Sequence, residues 1–166
     1  MLKRRRQGGF TLIEVLIAVL VLGIGLLGVA GLQSVALGLN YGSYLRSQGT
    51  LFARDIADRM RANHRGVDNG AYDMGTGASP TEQSACESTG GCNSNAMAAH
   101  DLFEWTQNLA DSLPDGQGVV CIDDTPVDGT PGSPACDGSG DNYAIKIWWY
   151  DRQNETSQRF VTVFRP

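Results

Sequence analysis

The chain has 166 residues, enough for one domain of ordinary size and little more. Its formal net charge is −5, yet Lys3, Arg4, Arg5 and Arg6 precede any acid, so the remainder is more acidic still, and beyond Arg65 acids far outnumber bases. Such a body is a poor grip for a phosphate backbone, which argues against direct nucleic-acid binding, and one long apolar run near the N-terminus sets the chain apart from an ordinary cytosolic enzyme.

From Phe10 to Leu32 the only charged side chain is Glu14 and the only other polar one is Thr11. At ~1.5 Å rise per residue this run crosses a ~30 Å hydrocarbon core, so residues 10–32 read as a transmembrane helix. The bases lie before it and none follows until Arg46, which places the N-terminus in the cytoplasm and the bulk of the chain outside. A secretory signal would have an apolar core of about 7–15 residues with a small-residue cleavage site behind it. Here no Ala-x-Ala follows, and the small residues Gly8 and Gly9 stand in front, where a cut leaves the whole helix attached.

The string Gly9-Phe10-Thr11-Leu12-Ile13-Glu14, between a short basic leader and a long apolar run, resembles the class III signal of type IV pilins and type II secretion pseudopilins. The resemblance implies that a prepilin peptidase removes residues 1–9 by cutting after Gly9 and N-methylates Phe10. A carboxylate within a bilayer is costly and normally finds a partner. The resemblance supplies one for Glu14, the free amino group of a neighbouring subunit, so Glu14 is expected to act in filament assembly. Gly23-Ile24-Gly25-Leu26-Leu27-Gly28 spells a dinucleotide-binding fingerprint but lies within the apolar run, with no strand before it. Gly23, Gly25, Gly28 and Gly31 instead loosen the helix or allow close helix contact.

Beyond Leu32, apolar residues at Val35, Leu39, Leu45, Phe52, Ile56 and Met60 keep a mainly helical period, and no proline interrupts the chain before Pro80. Residues 33–65 are therefore the amphipathic half of one spine helix running from Phe10 to about His64. Asp55 with Arg59 and Asp58 with Arg61 have helical ion-pair spacing and read as solvated surface pairs. The stretch from Ala53 to Asn63 narrows the resemblance to the PilV-type minor pilins.

Residues 66–166 form the exported head, opening with a Gly/Ser-rich loop over 66–95. A helix is expected from about Asn95, with Leu102, Phe103, Trp105, Leu109 and Leu113 on its apolar face, stopped by Pro114-Asp115-Gly116. Val119 to Ile122 reads as a short strand, and Tyr143 to Tyr150 with Arg159 to Phe164 as a hairpin. The strands are expected to bury Tyr143, Ile145 and Ile147 or their alternate neighbours, with Val161 and Val163. The fold class is α+β: a long helical spine with a small antiparallel sheet, similar to the type IV pilins.

Cys86, Cys92, Cys121 and Cys136 all fall in the exported part, where disulfides persist. Their spacing does not suit a structural zinc site, and they admit three pairings, of which Cys86–Cys92 with Cys121–Cys136 closes the shorter Gly- or Pro-rich loops. Asp137, Ser139 and Asp141 alternate as oxygen ligands do in a calcium loop, with Asp123, Asp124 and Asp128 near in sequence. The closing glutamate of an EF-hand would fall at Trp148, and such Asp-Gly runs are commonly turns, so no metal or cofactor is expected. His64 and His100 are the only histidines, both read as exposed, and no hydrolase, metalloprotease or P-loop motif is present, so no enzyme is expected. Trp148, Trp149 and Tyr150 are candidates for core or interface. The resemblance implies a minor pilin that helps initiate a type IV pilus or sits at its tip, supporting biogenesis, adhesion and motility. Its implied partners are other minor pilins, the major pilin, a tip adhesin, the prepilin peptidase and the inner-membrane assembly platform. The alternatives are a type II secretion pseudopilin and a single-span anchored periplasmic binding protein.

Overall fold

The computed structural model describes residues 8–75, 77 and 79–165; Lys3 to Arg6, the basic residues of the expected leader, lie outside them. Helix α1 runs over Leu12–Ala62, followed by a short α2, His64–Asp68, a 3-10 turn at Ser84–Glu87, and α3, Ser94–Ser112. Strands β1 (Gln117–Ile122), β2 (Tyr143–Asp151) and β3 (Thr156–Phe164) form one antiparallel sheet in the order β1-β2-β3. The chain is α+β, with two compact units, residues 1–41 and 42–166.

The first unit is helical from Leu12 and apolar on every side, with Leu12, Leu16, Leu20, Ile24 and Leu27 all exposed. It begins two residues later than Phe10 because Thr11 caps it: the Glu14 amide donates to the Thr11 carbonyl and, at 3.3 Å, to its Oγ1. The helix continues unbroken through Gly23, Gly25, Gly28 and Gly31. By length and composition it is the one described helix able to cross a membrane.

In the second unit the remainder of α1 packs Leu45, Ala53, Ile56 and Met60 into the core, together with Leu102, Trp105 and Leu109 of α3. Val35 and Leu39, expected on the same amphipathic face, are exposed; the buried apolar stripe starts at Leu45. Helix α1 stops at Ala62 because Asn63 leaves the helical conformation and caps α2, its side chain accepting from the Gly66 amide. His64 thus opens α2 rather than ending α1. The 66–95 segment is also less of a loop than its composition suggests, since α2 and the 3-10 turn fall in it and Val67 and Tyr72 are buried.

Asn93 caps α3 by accepting from the Ala96 amide at 2.9 Å. The helix ends where Leu113 turns extended ahead of Pro114. Chain reversal at Gly116 needs a bare backbone, since a Cβ there would run into the Leu109 carbonyl. The Trp105 indole, wholly buried, donates to the Phe52 carbonyl at 2.9 Å and so bonds α3 to α1.

Strand β2 is buried on both faces. Tyr143, Ile145, Ile147 and Trp149 join the main core, whereas Trp148 joins a second apolar cluster with Val119 and Cys121, against Met74 and Cys136. Both tryptophans are therefore core, which resolves the Trp148-Trp149-Tyr150 run. Val163 departs from expectation: it is 44 % exposed, while Val161 is half-buried, because they stand on outermost strand β3.

Replacing Trp105 by alanine empties the centre of this core and removes its hydrogen bond to α1, so Trp105→Ala is expected to cost about 3–5 kcal/mol. Urea unfolding of the full chain in detergent, followed by tryptophan fluorescence, measures it; a loss under about 1 kcal/mol would contradict the packing described.

Candidate functional site

Near the N-terminus, Gly9 and Phe10 precede α1 and are exposed, and Glu14 lies in its first turn. Phe10, Glu14, Val15, Ala18, Val19 and Leu22 line one shallow groove along the helix, mostly apolar, with the Glu14 carboxylate as its one charge. An acid at a helix N-terminus also suits the helix dipole. The stripe therefore offers an apolar contact face with a single ionic anchor.

A polar clasp holds the second unit together. Arg59 of α1 reaches Asp55 at 3.3 Å, and on α3 Asp101 at 3.3 Å and Glu104 at 2.6 Å. The other Asp101 oxygen accepts a 2.5 Å hydrogen bond from the buried Tyr72 hydroxyl, which in turn accepts from Asn63 Nδ2. Asn63 Nδ2 also donates to the Ser94 carbonyl at 2.8 Å, where α3 begins. Expected as a solvated surface pair, Asp55–Arg59 is thus part of a half-buried network; Asp58–Arg61 alone is a surface pair. Burial works against the Arg59 charge, but Glu104 and Asp55 outweigh it and hold the guanidinium firmly protonated. Burial, then the bond to Asp101, pushes the Tyr72 hydroxyl far up. An open cleft of about 310 Å³ lies beside this clasp, lined in part by Asn63, Cys92 and Met97.

His100, expected in solvent, is buried at 6 % exposure. It faces back toward the 3-10 turn rather than outward, and the Gln83 amide donates to its Nδ1 at 3.2 Å. That bond leaves the ring proton on Nε2, which points at Glu87 (3.5 Å) and Glu104 (3.8 Å). Among the described residues these three form the group whose ligand atoms could gather on an ion. A metal would need the Nε2 lone pair, which this tautomer occupies with hydrogen, so the arrangement suits an N–H···carboxylate clasp better than a metal centre.

The cysteines are joined Cys86–Cys92 and Cys121–Cys136. Asp137, Ser139 and Asp141 are exposed, and the Asp137 carboxylate is engaged in its own turn, accepting from the amides of Ser139 (2.7 Å) and Asp124 (3.3 Å). Asp123 and Asp128, expected beside that loop, point elsewhere: both meet the ammonium of Lys146, at 2.5 and 2.9 Å. Lys146 is wholly buried. Sequence reasoning passed over it, although a lysine between Ile145 and Ile147 on a strand bounded by aromatics, in a chain so poor in lysine, was a signal.

Residues 4–30 match the prokaryotic N-terminal methylation motif, which spans Gly9, Phe10 and Glu14, and residues 31–103 match the model described as type IV pilin Tt1218. Over residues 4–103 the chain is similar to the type IV pilins. No curated protein and no solved structure matches it. The pilin match contains Arg59, Asn63, Tyr72 and Asp101 of the polar clasp but stops one residue short of Glu104, and the sheet and the Cys121–Cys136 loop lie beyond it. The family is a structural, filament-forming one, and the methylation motif with its apolar helix belongs to a membrane-anchored pilin later assembled into a pilus.

The clasp makes the fold acid-sensitive. Glu104 is held below the usual carboxylate range by its hydrogen bond from Arg59. A depressed carboxyl adds stability that is complete above its unfolded-state pKa of about 4 and is lost as the pH falls through the lower folded value. The melting temperature of the full chain in detergent, followed by circular dichroism, should therefore drop below about pH 4, and Glu104→Gln should flatten part of that decline. An identical acid limb in the variant would show that the Arg59–Glu104 pair is not coupled to folding.

Proposed function

We propose that this pilin is a minor subunit that helps initiate a type IV pilus or stands at its tip, and thereby supports pilus biogenesis, adhesion and motility. The observation that carries the reading is the methylation-motif match across Gly9, Phe10 and Glu14 at the head of a 51-residue helix whose first part is apolar and exposed. In this reading residues 1–9 are a leader, the peptidase cuts after Gly9, and Phe10 becomes the N-methylated first residue. Residues 10–32 anchor the subunit in the inner membrane with its head in the periplasm, and then enter the filament core. The PilV-type assignment rests on the stretch Ala53 to Asn63, whose Arg59 and Asn63 belong to the polar clasp. Its partners are other minor pilins, the major pilin and a tip adhesin, besides the peptidase and the assembly platform.

Glu14 supplies specificity to that assembly. The free amino group of Phe10 on one subunit and the Glu14 carboxylate on the next form an ion pair in a medium where either charge alone is costly. Thr11 already satisfies the Glu14 amide within the helix, so substitution of the side chain leaves the cap in place.

Two measurements test the reading. From a host with an active prepilin peptidase, intact mass and N-terminal sequencing should find a chain starting at N-methylated Phe10; a retained Met1 would reject processing. Glu14→Ala should reach the membrane at normal levels yet be depleted about tenfold or more from sheared filaments, the equivalent of losing about 1.4 kcal/mol of assembly free energy. Wild-type recovery in the filaments would reject the pairing.

A further inference from the structure

Beyond Lys3 of the leader, Lys146 is the only lysine in the chain, and it is buried completely. An exported acidic head that lacks any surface lysine nevertheless places one in its interior, on the central strand. There Nζ lies 2.5 Å from Asp123 Oδ2 and 2.9 Å from Asp128 Oδ1, and also contacts the carbonyls of Pro134 (2.8 Å) and Asp128 (3.4 Å). The Asp123 side chain is as buried as the lysine, while that of Asp128 is half exposed. Thr125 Oγ1 stands between the two acids, 3.1 Å from Asp128 Oδ2 and 3.4 Å from Asp123 Oδ1. Lys146 pairs across the sheet with Val119 and Val161, on the face that carries Trp148 and its apolar cluster.

We propose that Lys146 and Asp123 condense to an intramolecular isopeptide bond, with Asp128 as the proton carrier. In water, ammonium and carboxylate ions outcompete the amide because both are well solvated. Here both reacting groups are buried away from water and the fold holds them in contact. The Asp128 carboxylate takes a proton from the Lys146 ammonium and passes it to the Asp123 carboxyl. The freed amine attacks Asp123 Cγ, forming the Nζ–Cγ bond. A second proton then moves from nitrogen, through Asp128, to the Asp123 oxygen that departs, and the Cγ–O bond breaks. One ammonium and one carboxylate give one amide and one water, with no change of oxidation state and with Asp128 returned to its starting form. The product strap ties the segment that follows β1 to β2, beside the Cys121–Cys136 disulfide.

The test uses the full chain, exported so that both disulfides form and isolated in detergent. Its intact mass should be lower than that of the disulfide-bonded sequence by one water. After unfolding, reduction and alkylation, lysyl endopeptidase should fail to release residues 147–166, because Lys146 is acylated. Release of that peptide in full yield overturns the proposal, whatever the mass, since a water lost as a succinimide at Asp115, Asp128 or Asp137 leaves Lys146 cleavable. Asp128→Asn should regain the water and release residues 147–166 while keeping its circular dichroism spectrum. If that variant stays linked, Asp128 is not the proton carrier and that part of the mechanism is wrong. The wild-type digest decides the bond whether or not the variant folds.

Discussion

The second unit depends on one strand having no solvent face. Strand β2 is the middle of a three-stranded sheet, so both its edges are hydrogen-bonded, and its two faces lie against separate apolar clusters. Every residue from Tyr143 to Trp149 is buried. In an antiparallel sheet one face is commonly wet, and the usual sequence mark is alternation. Here that alternation is replaced by a nearly continuous apolar run, with Lys146 as its one charge. Covering the second face falls to segments with little apolar content of their own, chiefly residues 119–136 and Met74. They succeed because a disulfide and the buried contact between Lys146 and Asp123 hold in place what bulky side chains hold elsewhere.

The other face is closed by helices, and there the deciding contacts are polar. Trp105 reaches a backbone carbonyl of α1, and Arg59, Tyr72, Asn63 and Asp101 connect α1, the segment after α2 and the start of α3. None of these groups is worth much in isolation, since an exposed ion pair contributes about 0–1 kcal/mol. Partly buried and sharing partners, they have few alternative arrangements, and the geometry of one constrains the next. A substitution at Asp101 would therefore leave the Tyr72 hydroxyl without its acceptor and take away one of the three carboxylates around Arg59.

Much of this was legible in the sequence wherever a period or a stop signal carries the information. The unbroken helix, the start of α3, its end at Pro114, and the three strands all follow from residue spacing and turn chemistry. What escaped is information held between distant segments. His100 was read as exposed because an isolated histidine on a polar helix face gives no sign that the 3-10 turn at Ser84–Glu87 will fold over it. Arg59 has an i−4 acid that accounts for it locally, and so hid its partners on α3. The aspartates at 123 and 128 were grouped with Asp137 because they are near in sequence. Their actual partner, Lys146, comes from the next strand, and only strand pairing brings it to them.

The first unit obeys a different constraint. Among the described residues the buried apolar side chains begin at Leu45, so the core of residues 42–166 makes no demand on the long apolar stretch before it. Folding of the head therefore does not explain why Leu12 through Leu32 are apolar on every side of the helix; an amphipathic stripe would have sufficed for packing against one partner. A helix apolar all round is satisfied by lipid, or by neighbours on all sides, and a pilin subunit needs both in succession. The single carboxylate is informative for the same reason. In lipid Glu14 is a cost, which the pairing proposed above would offset by offering a cation in the second environment. Uniform apolarity makes the segment indifferent to rotation about its axis, whereas one charge at a defined position distinguishes one side of the helix from the others.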